Sequence, residues 1–174
     1  MHKSCININQ WPYGPGNMYG GYYEFKRETF FDTEKLYTGG NSLSAGSGCG
    51  IKGKEEVMVT ENNSAIAMES GTLKVFATPA MAALMEKTAW KSVAPFLEKG
   101  QCTVGTKLNL SHSASTPIGM KVICESELVA IEGRKLVFKI SASDEVGIIG
   151  ECEHERFIVE DEKFQNKTDS KLKN

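Results

Sequence analysis

The sequence predicts one α+β domain in which an antiparallel sheet wraps around a single long helix. Three observations predict it. Residues 79–97 carry the one sustained helical period in the chain. Four strand-like runs then follow in succession with only short turns between them. A further short strand precedes the helix, and strand, helix, meander is an α+β order.

Composition narrows the function classes. The 174 residues are 40% hydrophobic and 24% charged, which suits one soluble domain of ordinary size. The longest apolar run, residues 80–85, falls far short of the ~20 residues a membrane span needs. The first ten residues hold one lysine and no apolar stretch, so they do not read as a secretory leader. Twenty basic against 22 acidic residues leave no basic stripe for nucleic acid to neutralise. Five cysteines form no CxxC pair, and free thiols in a reducing cytoplasm are the simplest reading. The expectation is a cytoplasmic protein that engages neither membrane nor nucleic acid.

The chain divides near residue 50. Residues 1–50 hold all five tyrosines and nine of the 17 glycines. They read as a disordered or loosely ordered Gly/Tyr-rich arm, as a flap on the main domain, or as residues upstream of the functional start. Residues 51–160 are the domain. A strand at 54–60 puts Val57 and Val59 on one face, and residues 63–69 can make two helical turns closed by Gly71. The helix at 79–97 stops at Lys99-Gly100, in the usual termination chemistry. Strands follow at 102–113, 120–131, 135–143 and 148–159, with turns at Thr116-Pro117, Glu132-Gly133 and Asp144-Glu145. Residues 161–174 read as a frayed polar tail.

The helix is apolar over most of its circumference. Met81, Leu84, Met85, Thr88, Ser92 and Phe96 form one stripe, and Ala82, Ala83, Ala89, Trp90, Val93 and Leu97 fill much of the rest. Such a helix is expected to be wrapped, and a sheet of four or five strands curled around it is the hotdog arrangement. One unit leaves a sheet edge unpaired, so a homodimer or larger homo-oligomer is expected.

Three polar residues interrupt this apolar plan. Glu86 has Ala82, Ala83, Ala89 and Trp90 as its helical neighbours, where a carboxylate is costly unless partnered; a surface glutamate is the plainer alternative. His112 ends the row Cys102, Val104, Thr106, Leu108, Leu110, whose alternation points inward, so it is a general-base candidate or a satisfied core histidine. Thr78 precedes Pro79 at the helix entrance, where capping alone explains it.

Together these residues resemble a known set. The segments 75–100, 103–136 and 150–160 are similar to the fluoroacetyl-CoA thioesterase-like family of hotdog proteins, a resemblance covering residues 51–165. Its motif is a Thr at the helix entrance, a Glu eight residues on, and a His 26 residues after that in a T/S-H-x-A context. Thr78, Glu86 and His112 match it, and the resemblance implies that they are the catalytic set. It also implies substrate contacts at Gly105, beside the thioester, and at Arg156 of the late HER motif. His154 reads as a strand residue that happens to precede Arg156. The segment before the helix departs from the fluoroacetyl-specific member, whose lid is rich in phenylalanine. Here residues 65–78 contain only Phe76, which leaves a smaller aliphatic lid and Phe76 as its substrate-binding aromatic.

The expected activity is hydrolysis of a short- or medium-chain acyl-CoA, with His112 activating water or Thr78 or Glu86 attacking transiently. A hotdog hydratase or dehydratase and a non-catalytic acyl-CoA binder are the alternatives. No cofactor and no metal is expected, since no phosphate-cradling glycine motif or metal-ligand cluster is written in the chain.

Overall fold

A computed structural model describes Leu43 and residues 49–173. The arm expected at residues 1–50 therefore lies, but for Leu43, Cys49 and Gly50, outside the described residues. The elements are β1 (Lys52–Met58), α1 (Thr78–Val93), β2 (Gln101–His112), β3 (Lys121–Glu132), β4 (Lys135–Ser143), β5 (Ile148–Glu160) and α2 (Asp161–Asp169). The five strands form one antiparallel sheet in the order β1-β3-β4-β5-β2, curled over one face of α1. This is the hotdog arrangement.

The core lies between α1 and the concave face of the sheet. Met81, Leu84, Met85, Ala89 and Val93 pack there against Val122, Leu128, Leu136, Phe138, Ile140 and Ile149. Each large side chain sealed in this layer contributes ~1.5–3 kcal/mol of hydrophobic stabilisation. The helix comes close to β1 because residue 53 is glycine: a Cβ there would meet the Thr88 carbonyl oxygen at 2.7 Å.

The helix is not wrapped on all sides as expected. Within one chain Ala83, Lys87, Trp90, Lys91 and Ala94 face outward, and Trp90 is 43% exposed. The helix also ends earlier, at Val93, and a 3-10 turn over Ala94–Phe96 replaces its last residues. Pro95 explains the break, because it can donate no backbone bond to continue the ladder.

Residues 63–69 do not form the expected helical turns. A short 3-10 turn, Glu61–Asn63, is followed by a strap tied to residues 75–76. Ser64 pairs with Phe76 and the Ala65 amide donates to the Val75 carbonyl, and the strap keeps a single α-helical bond, from the Met68 amide to the Ser64 carbonyl. Residues 161–169 form the exposed helix α2 rather than a frayed tail. Asp161 and Glu162 in its first turn and Lys167 in its last complement the helix dipole.

The inward row expected along β2 is broken in the middle. The pairing with β5 shifts between Gly105 and Lys107, so Thr106 is an extra, bulged residue. Thr103 and Gly105 face the helix before the bulge, and Leu108, Leu110 and His112 face it afterwards, across from His154, Cys152 and Gly150. Cys102, Cys124 and Cys152 are free thiols, as expected. Among the described residues no helix is long and apolar enough to cross a membrane.

Candidate active site

Thr78 and His112 meet at the N-terminal end of α1. Ala77 occupies the cap position, so Thr78 is the first helical residue and makes no cap bond, contrary to the sequence expectation. Its hydroxyl lies 2.8 Å from His112 Nδ1 instead. The other ring nitrogen of His112, Nε2, is buried and has no hydrogen-bond partner among the described residues. An unpartnered buried imidazole nitrogen costs free energy unless something arrives to meet it. The pair therefore has a hydroxyl and a base in contact, with the Thr78 side of the pair open to solvent.

Glu86 belongs to a second polar cluster, built on β2 and β5. Its Oε2 accepts from Arg156 Nη1 at 3.0 Å and lies 3.9 Å from His154 Nε2. The Arg156 guanidinium is 5% exposed and held on several sides. Nε donates to the Thr103 hydroxyl at 2.8 Å, Nη2 donates to the Thr103 carbonyl at 2.7 Å, and Nη1 also reaches His154 Nε2 at 3.0 Å. Burial works against the guanidinium charge, and Glu86 supports it. His154 is 1% exposed, and burial first, then the neighbouring Arg156 charge, hold its pKa below the ordinary histidine range.

The bulge at Thr106 is what lets both clusters share one strand. It turns Thr103 and Gly105 inward to meet Arg156 and Glu86, then restores His112 to the same face seven residues later. Gly105 leaves the room that the carboxylate occupies, since a Cβ there would stand 2.6 Å from Glu86 Oε2 and 3.2 Å from His154 Cε1.

The structure thus brings Thr78 to His112 and Glu86 to Arg156 and Gly105, but keeps the two groups apart within one chain. Eight residues separate Thr78 from Glu86, about 12 Å of helix axis. Glu86 is not desolvated as expected: its side chain is 45% exposed in the single chain. Phe76, expected at the substrate, is instead sealed in the core. Thr103 and His154 are the site residues that sequence reasoning passed over. The described free thiols are unlike nucleophiles: burial pushes Cys102, Cys124 and Cys152 each up to about 11.

Comparison with known proteins points one way. The family described as fluoroacetyl-CoA-specific thioesterase matches residues 59–162. The fluoroacetyl-CoA thioesterase of Streptantibioticus cattleyicolor is 42% identical over 67 residues, which are 38% of this chain and 48% of that protein. The chain thus spans about half the length of that curated relative. A solved fluoroacetyl-CoA thioesterase superposes with a TM-score of 0.68 at 33% identity, covering 71% of this chain and 96% of that one. A thioesterase superfamily member from Thermus thermophilus superposes with a TM-score of 0.66 at 28% identity, covering 71% and 91%.

Proposed function

The chain belongs to the fluoroacetyl-CoA-specific thioesterase family, and from that premise we propose that it hydrolyses a short- or medium-chain acyl-CoA to the free acid and coenzyme A. The observation that carries this reading is the 2.8 Å contact between Thr78 Oγ1 and His112 Nδ1, beside a buried ring nitrogen without a partner among the described residues. Water held by the Thr78 hydroxyl attacks the thioester carbonyl while His112 takes its proton. The same imidazolium then returns that proton to the departing coenzyme A thiolate, so the base is regenerated. Attack by Thr78 itself, through an acyl-enzyme, gives the same products and uses the same contact. A backbone amide at the start of α1 or, in a homodimer, one near Gly105 of the partner subunit holds the oxyanion, a donor worth ~3 kcal/mol to such a step. The chemistry needs no cofactor beyond the coenzyme A of the substrate.

Glu86 reaches the reaction through a homodimer in this proposal. A two-fold axis beside Ala82 and Ala83, midway between Thr78 and Glu86, lays two copies of α1 antiparallel and brings the partner's Glu86 to Thr78. Two features support it. Ala83 is small and exposed, allowing close helix approach, and the indole of Trp90 lies uncovered on the same helix. The partner also removes Glu86 from water, where its charge does more. Ile66, Met68 and Leu73 of the strap are exposed aliphatic side chains, which supports an aliphatic acyl group rather than a halogen-selective aromatic lid. Coenzyme A esters are intracellular metabolites, which fits a cytoplasmic setting.

Thiol release measured across acyl-CoA chain lengths tests the proposal. Release that peaks on a short or medium acyl chain supports it. Water addition or loss on an enoyl- or hydroxyacyl-CoA without thiol release identifies a hydratase, and binding without turnover identifies a sensor.

A further inference from the structure

Among the described residues, His154 is a buried titratable side chain that the hydrolytic scheme leaves without work. Its hydrogen bonds fix its state. The guanidinium of Arg156 can only donate, so His154 Nε2, 3.0 Å from Nη1, must accept. Nδ1 then carries the proton and donates it to the Lys107 carbonyl at 2.8 Å. A second proton would set Nε2–H against the guanidinium N–H. The charged groups facing the ring are Arg156 on its own strand and Glu86 from α1. β2 presents the Lys107 carbonyl and β4 the Phe138 ring, neither of which titrates.

Arg156 has more directions available than the one it takes. Thr103 anchors Nε and Nη2, which leaves Nη1 as the only nitrogen directed at Glu86. His154 touches that same nitrogen. We propose that His154 is a positioning residue, a neutral acceptor that sets Arg156 Nη1 against Glu86. It touches no substrate and acts through Arg156. The inference rests on the hydrolase reading for its kinetic consequence, and on hydrogen bonding alone for its structural one.

Two substitutions separate positioning from packing. In His154→Gln the amide oxygen can still accept from Arg156, whereas His154→Leu fills the space and accepts nothing. For the leucine variant the expected loss in kcat is about tenfold or more, with KM within about twofold, and glutamine restores most of it. Equal kcat in the two variants would overturn the proposal. Nitrogen-15 NMR supplies an arm independent of activity. The wild-type imidazole should show the Nδ1–H neutral form at pH 7, and the Arg156 Nε proton should exchange faster in the leucine variant than in the glutamine one. An Nε2–H tautomer or a protonated ring at that pH, or equal exchange, overturns the positioning role. An absence of thiol release from every acyl-CoA would instead overturn the hydrolase reading and leave these spectra to decide the rest.

Discussion

Gly105 stands directly under the carboxylate of Glu86, so close that a Cβ on residue 105 would come within 2.6 Å of Oε2. The acidic group and the strand beneath it therefore share space that one methyl would fill. Gly105→Ala should push the carboxylate off Arg156 and lower kcat by about tenfold or more, since the pair is a charge-assisted contact. The melting temperature should change little, because Glu86 is half exposed and can move. A variant with wild-type kcat would show that this close approach has no part in turnover.

The Thr78–His112 contact makes the two residues unequal partners. His112→Ala removes the base and should lower turnover at least ~100-fold, and Glu86→Ala should do the same. Thr78→Ser keeps the hydroxyl 2.8 Å from Nδ1 and should retain far more activity than Thr78→Val. Steady-state kinetics on the preferred acyl-CoA checks the series. Near-native kcat in the alanine variant of either residue would remove it from the catalytic set.

Burial and Arg156 hold His154 neutral in the folded state, and this has a sign in stability. Its folded pKa lies below the unfolded one, so the unfolded chain takes up a proton that the folded chain refuses. Stability is then full above the ordinary histidine pKa, ~6.5, and falls as the pH drops through it. Urea unfolding at pH 7.5 and 5.5 should show this loss in the wild type and not in His154→Gln. Equal losses in both proteins would count against a neutral buried ring.

If the partner completes the site, oligomer and activity must fail together. Ala83→Glu places a charge on the exposed face of α1, well away from the core side of the helix. Sedimentation should then report a monomer in place of a dimer, with kcat falling in step and far-UV circular dichroism unchanged. An active monomer would show that a single chain suffices.

Most of the fold was legible in the sequence because each strand is long enough to show its alternation. The run at 135–143 coincides with β4, and the other three meander strands lie within a residue of β2, β3 and β5 at each end. Legibility failed where distant contacts decide local structure. Ser64 pairs with Phe76 rather than continuing a helix, a bond that no local period announces. Strict alternation with Cys102 and Val104 inward puts Thr103 on the opposite face, but one extra residue at Thr106 reverses it, and a period of two carries no signal for that. The apolar neighbours of Glu86 mark it as unusual in the sequence, but its partner Arg156 is 70 residues away, and neither a local period nor the resemblance joins the two.

The bulge at Thr106 also changes which kind of lesion this strand tolerates least. Removing that single residue would leave every chemical group of the cluster present and the length of β2 nearly the same. The first half of the strand would nevertheless roll over, presenting the Thr103 hydroxyl and the Gly105 gap to solvent and offering Cys102 and Val104 to a buried guanidinium. An in-frame loss of one codon here should therefore be more damaging than any replacement at the same position.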